Sequence, residues 1–115
     1  GLLEAVKNSD ISQDKAAKDT LEFIAAHTEP GQSPLCGNSI GTDRAFLVEH
    51  MPTVAKHCHY RNIDVSSIKQ IYEAWYPNHD RFYKKNHHRA LDDIKESIAE
   101  LKYYRSSIFI KDDTV

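Results

Sequence analysis

The sequence predicts an α/β chain dominated by helices, with about two short strands. Three observations carry that prediction. Apolar residues recur at spacings of three and four in "ISQDKAAKDTLEFIAAH" and again in "ALDDIKESIAEL", the periodicity of amphipathic helices. Two short apolar runs, "PLCGN" and "NIDVSS", are bounded by turn residues and suit brief buried strands. With 40% hydrophobic and 28% charged residues, the composition is that of a folded globular protein.

Taken in order, the chain runs from Gly1 straight into helical sequence without an initiator Met, and so reads as a fragment. A helix is expected from Ser12, a suitable N-cap, with Ala17, Leu21, Ile24 and Ala25 on one face. "TEPGQSP" then forces a loop through Pro30, Gly31 and Pro34. "PLCGN" is the first strand, closed by Gly37. A "GTD" turn leads into a second helix from Arg44 to about His50, stopped before Pro52. "NIDVSS" is the second strand, and it feeds a helix with Ile68, Ile71, Tyr72 and Trp75 inward. "YPNHDRFYKKNH" reads as a polar loop with aromatics. The last helix is expected from about Ala90 to Arg105, with Leu91, Ile94, Ile98 and Leu101 facing the core. Two isolated strands make no stable sheet without partners, a second sign that more chain belongs upstream.

Charge and cysteine usage narrow the function classes. In a chain of 115 residues the formal net charge is -2, which excludes the global basic field of duplex-binding proteins. Any nucleic-acid chemistry must be local. Cys36 and Cys58 have no zinc or redox spacing and are expected to be free. No apolar run reaches the roughly 18 residues needed to span a bilayer.

Three stretches carry candidate chemistry. In "GNSIGTDRAFL", Asp43 either caps a helix or places a carboxylate at the carboxyl edge of a sheet, where α/β folds build sites. In "HHRALDDIKESIAEL", a helical wheel sets Asp93 on a flank with the small residues Ala90 and Ser97. Asp92 falls with Lys95 and Glu96 in a solvated neighbourhood, so Asp93 is the better site residue. Both aspartates would also complement a helix dipole without any further role. Periodicity does not choose between His87 and His88. In "HCHYRNIDVSS", Arg61, Ser66 and Ser67 could hold a phosphate near a helix N-terminus, and Tyr60 could stack on a base. Asp64 could simply cap that helix. His57, Cys58 and His59 lack the remaining ligands of a zinc site at characteristic spacing.

Together, "EPGQSPLCGNSIGTDRAFLVEHMP", "HYRNIDVSSIKQ" and "HRALDDIKESIAELKYYR" resemble the oligoribonucleases, small RNA exonucleases of the DEDDh (DnaQ-like) 3′-to-5′ class. The likeness runs from about Gly1 to Phe109. It implies a ribonuclease H-like fold and two divalent metal ions, Mg²⁺ or Mn²⁺, held by four acidic residues. In that family's last motif, His-x-Ala-x-Asp-Asp, the histidine is the general base and the second aspartate binds metal. Laid on this chain, the register selects His88 and Asp93, and Asp43 matches a further metal-binding acid. Ser39, Arg61 and Ser66 fall where the family gathers the 5′ phosphate of its substrate. Tyr60 falls where a tyrosine from a partner subunit closes over it, which implies a homodimer. The implied substrates are short, dinucleotide-sized RNA oligonucleotides, degraded to mononucleotides in the cytoplasm, or in mitochondria if the source is eukaryotic.

One departure is decisive. The family's first motif, Asp-x-Glu, supplies two of the four acids, and it occurs nowhere in this sequence. Residues 1–115 are therefore expected to form the C-terminal part of a single exonuclease domain, roughly its last three-fifths, and to be inactive alone. The alternative is a non-catalytic helical module for dimerisation or interaction.

Overall fold

The computed structural model describes residues 1–85 and 89–112. Among these residues, six helices and two strands follow in the order α1 (Leu2–Lys7), α2 (Gln13–Ala25), β1 (Leu35–Gly37), α3 (Ile40–His50), α4 (Pro52–His57), β2 (Asn62–Asp64), α5 (Val65–Trp75) and α6 (Ala90–Ser107). β1 pairs with β2 in a two-stranded parallel sheet. The chain divides into two compact units, Gly1–Leu35 with Gly41–Asn62, and Cys36–Ile40 with the chain from Ile63 onward.

In the first unit, Ser12 caps α2 as expected, its hydroxyl accepting the Lys15 N–H at 3.1 Å. Such a cap is worth about 1 kcal/mol. Ala17, Leu21 and Ile24 are half-buried as anticipated, although Ala25 is exposed. α2 packs against α4, whose Val54 and Ala55 are buried. α4 itself was not foreseen from the sequence. Pro52 stops α3 but also starts α4, because a proline at the first helical position needs no N–H partner and has φ preset. Gln13 Nε2 donates to the His50 carbonyl at 2.9 Å, joining the start of α2 to the end of α3. Thr28 Oγ1 and His57 Nε2 lie 2.9 Å apart, and Gly31 N donates to the His57 carbonyl at 2.8 Å. Gly31 has φ +75°, a conformation that glycine adopts without a Cβ clash.

The second unit has an aromatic core. Tyr72 and Tyr104 are buried with ring centroids 5.1 Å apart, alongside Val65, with Ile68, Leu101, Tyr103 and Ile108 packed around them. Each ring finds a partner for its hydroxyl, as buried tyrosines require. The Tyr72 and Tyr103 hydroxyls both donate to the Asp80 carbonyl, at 2.6 and 2.5 Å, pinning the loop after α5. The close Tyr103 hydroxyl and burial push the Tyr72 pKa up to about 12.

Three sequence expectations are corrected. α3 begins at Ile40, so Gly41, Thr42 and Asp43 are helical rather than a turn. The helix starts early because the preceding turn is held by Asp64 and Ser66, and because Ile40 is buried. On α5, Tyr72 is buried and Ile68 half-buried, but Ile71 and Trp75 face outward. On α6 the inversion is greater: Leu91, Ile94 and Ile98 are 62%, 57% and 50% exposed, and only Leu101 of the expected stripe is half-buried. The face turned inward carries Ser97, Glu100, Tyr103 and Tyr104 instead. Hydroxyls and a carboxylate that partner one another satisfy the burial requirement there, so the apolar stripe is left outside. Among the described residues no helix is long and apolar enough to cross a membrane.

Candidate active site

Both aspartates singled out from the sequence lie in the first turn of a helix, Asp43 in α3 and Asp93 in α6. Both are exposed, and neither has a side-chain hydrogen bond or ion pair among the described residues. An exposed, uncommitted carboxylate is an oxygen donor available to a hard cation. The helical-wheel comparison of Asp92 with Asp93 needs correction. Asp92, expected in a solvated neighbourhood, is the half-buried one, and Asp93 is the exposed one. The same inversion of α6 explains this, since the face expected outward is the face that packs.

His88 lies outside the described residues, as does His87. The segment just before them is tied to α6. Glu96 Oε1 accepts the Lys85 N–H at 2.8 Å, and Lys84 Nζ reaches Glu100 Oε1 at 2.9 Å. The last described residues ahead of the pair are therefore fixed against the helix that carries Asp93.

Ser39 is exposed in a turn at φ +52°, the one non-glycine residue at positive φ among those described. That conformation costs about 1–2 kcal/mol for an L-residue. Its N–H is shared by Asp64 Oδ1 at 3.0 Å and Ser66 Oγ at 3.1 Å. Asp64 also accepts the Ser66 N–H at 2.9 Å, capping α5 as the sequence suggested. Ser66 thus has no uncommitted donor: its hydroxyl goes to Asn38 Oδ1 at 3.1 Å. The α5 N-terminus serves the Asp64 carboxylate.

Tyr60 and Arg61 are both exposed. Tyr60 stacks on His59 with centroids 4.6 Å apart, and the Arg61 guanidinium sits 5.2 Å from the Tyr60 ring centroid. Arg61 makes no ion pair among the described residues, so its charge is available to an anion. His59 Nδ1 accepts the Arg61 N–H at 3.0 Å, and the His59 carbonyl accepts from Arg44 Nη2 at 2.6 Å, which fixes this corner. His57 and His59 are thus engaged locally. No three His, Cys, Asp or Glu side chains converge on a metal position among the described residues, and both cysteines are free.

Sequence reasoning missed Asn38, Lys84 and Glu100. Asn38 Nδ2 donates to Ser97 Oγ at 2.9 Å and to Glu100 Oε1 at 3.1 Å, and Tyr104 OH donates to Glu100 Oε2 at 2.6 Å. Burial pushes the Glu100 carboxyl up, but hydrogen bonds from Tyr104, Lys84 and Asn38, with the Lys84 charge, outweigh it and leave the group below its ordinary value. Burial and the same carboxylate hold the Tyr104 phenol above its ordinary range. The one sequence signal for this network was a glutamate on the same helical face as two tyrosines. A cavity of about 630 Å³ lies at the opposite end of α6 from Asp93, lined by Leu101, Arg105, Phe109 and Ile110 among others.

Comparison with known proteins decides the family. A model of the RNase T exonuclease family matches residues 4–101. The chain belongs to this family. It is 53% identical over 110 residues to the oligoribonuclease of Vibrio campbellii, covering 95% of this chain and 61% of that protein. It is 52% identical over 109 residues to the probable oligoribonuclease of Dictyostelium discoideum, covering 95% of this chain and 57% of the relative. The probable oligoribonuclease of Caenorhabditis elegans is 49% identical over 111 residues, 96% of this chain and 58% of the relative. The exonuclease match establishes the ribonuclease H-like fold anticipated from the motifs, here with helices and a short two-stranded parallel sheet. The chain spans about three-fifths of the length of the curated relatives it matches.

Proposed function

We propose that this chain is the C-terminal part of a 3′-to-5′ exoribonuclease domain that degrades dinucleotide-sized RNA to mononucleotides. The observation that carries the proposal is the family match over residues 4–101, which spans both Asp43 and Asp93, exposed in the first turns of their helices and uncommitted among the described residues. Each exposed carboxylate is an oxygen donor suited to a hard divalent cation such as Mg²⁺ or Mn²⁺. Asp43 and Asp93 would hold the metal in the complete domain. When bound, such ions lower the pKa of a water and stabilise a leaving oxygen. His88 would take the proton of the attacking water, a task suited to an imidazole. Ser39 and Arg61 would grip the terminal 5′ phosphate, with Ser66 contributing by anchoring Ser39. Tyr60, exposed beside the Arg61 charge, would stack on a base across a homodimer interface. A net charge of -2 suits a substrate with few phosphates to neutralise.

Asp-x-Glu is missing from the 115 residues, so half of the expected metal-binding acids are not in them. The chain alone should therefore be inactive. The outward stripe Leu91, Ile94 and Ile98 is proposed as the face that the remainder of the domain covers. That same exposed stripe also favours a second reading, a non-catalytic helical module that uses it for dimerisation.

A nuclease assay separates these possibilities. The purified chain should release no mononucleotide from a dinucleotide with Mg²⁺ or Mn²⁺, yet bind a 5′-phosphorylated dinucleotide more tightly than the unphosphorylated one. Arg61→Ala should erase that difference. Cleavage abolished by Asp93→Ala would overturn the inactivity. Dimerisation with no affinity for either dinucleotide would favour the non-catalytic module.

A further inference from the structure

Glu100 is the one charged side chain that is fully buried among the described residues, at 1% exposure. Nothing in the proposed chemistry uses it. Its oxygens accept from Asn38, Lys84 and Tyr104 at 3.1, 2.9 and 2.6 Å. An ionised carboxylate only accepts hydrogen bonds. Asn38 must therefore turn its amide nitrogen toward Glu100, and Ser97 Oγ lies 2.9 Å away to take the second N–H. That leaves Asn38 Oδ1 facing Ser66, whose hydroxyl donates to it at 3.1 Å. With its proton committed there, Ser66 Oγ can only accept, and the N–H it accepts is that of Ser39 at 3.1 Å. Ser39 is the residue held at φ +52°. The Ser39 N–H can only donate, so it fixes one end of this chain; at the other end the buried charge fixes which edge Asn38 presents and where the Ser66 hydroxyl points.

We propose that Glu100 is a positioning residue: its carboxylate fixes the orientation of Asn38 and, through it, of the Ser66 hydroxyl that accepts the Ser39 N–H, and so holds the Ser39 turn ready for a terminal phosphate. The second half rests on the reading of Ser39 as a phosphate contact; the first half does not. A neutral amide at position 100 could present either edge to Asn38. Asn38 could then flip, Ser66 would lose the acceptor that orients its hydroxyl, and the Ser66 restraint on the strained Ser39 turn would loosen. Lys84 contributes by supplying the countercharge that keeps Glu100 ionised while it is buried.

The test combines amide hydrogen exchange with binding on the 115-residue chain. In Glu100→Gln, the Ser39 amide should exchange roughly 10-fold faster, the change expected for losing about one hydrogen bond, while amides within α2 keep their rates. The 5′-phosphorylated dinucleotide should bind about 10-fold more weakly, with the unphosphorylated one unaffected. If Glu100→Gln does not fold, Asn38→Ala breaks the same chain while leaving Glu100 paired with Lys84 and Tyr104, and should accelerate Ser39 exchange alike. An unchanged Ser39 rate, or one that rises only in step with every amide of α6, overturns the positioning role. Faster Ser39 exchange in a chain whose parent binds both dinucleotides equally leaves Glu100's control of the turn standing and removes the phosphate reading.

Discussion

α2 and α6 are both amphipathic in sequence, and they settle in opposite ways. In α2 the apolar residues Ala17, Leu21 and Ile24 turn partly inward, onto the unit that contains α4. In α6 the apolar residues Leu91, Ile94 and Ile98 turn outward, while Glu100, Tyr104 and Ser97 turn in. Periodicity identifies which face of a helix is apolar. It does not identify which neighbour is available to cover that face. α2 has an apolar neighbour in α4, whereas α6 meets α5 through a tyrosine core and an asparagine turn that need hydrogen-bond partners more than they need methyl groups.

That contrast is open to direct attack by mutation. The largest effect should come from Glu100→Leu, which strands the Lys84 ammonium, the Tyr104 hydroxyl and the Asn38 amide together. Removing one partner of a buried ion pair costs about 3 kcal/mol or more, to be read from urea denaturation. A neutral or stabilising outcome would mean that the inward polar face of α6 contributes nothing beyond its volume. The same carboxylate has a pH signature. Its folded pKa is depressed, so its contribution is present above the ordinary carboxylate range and fades as pH falls through the folded value. Acid unfolding of Glu100→Gln should accordingly be shallower than that of the parent chain below about pH 4.

Next in size is Tyr72→Phe, which removes the hydroxyl that donates to the Asp80 carbonyl and should cost about 1–2 kcal/mol. Ser12→Ala, the corresponding probe of α2, should cost about 1 kcal/mol through its cap. The smallest effect is the most diagnostic. Ile98→Lys on the outward face of α6 should shift stability by no more than about 0.5 kcal/mol, as for an ordinary surface position. A loss several times larger in the isolated chain would show that the stripe is already covered in solution, for example by a second copy.

Much of this architecture was legible in the sequence, and the failures share a cause. The Ser12 cap, the strand closed at Gly37, the Asp64 cap and the helix at Ala90 are all set by local chemistry within a few residues, and each is found where expected. The early start of α3 was hidden because it depends on Asp64 and Ser66, far along the chain from Ser39. The inward face of α6 was hidden for the same reason, since Asn38 and Lys84 come from distant segments. For the candidate site, motif register picked out Asp43 and Asp93, and the structure finds both exposed in helix first turns. The buried carboxylate behind Ser39 had no motif to announce it. A single glutamate among helix-forming residues looks like a solvated charge until its partners are in place.

Trp75 is the chain's one tryptophan, and it stands 72% exposed at the end of α5. It makes the molecule self-reporting. An indole in water emits at long wavelength and is open to collisional quenchers, whereas one buried beneath another polypeptide shifts to the blue and is shielded. Anything that settles over the outer face of α5 will therefore announce itself in the intrinsic fluorescence of the unlabelled protein, with no second tryptophan in this chain to blur the signal.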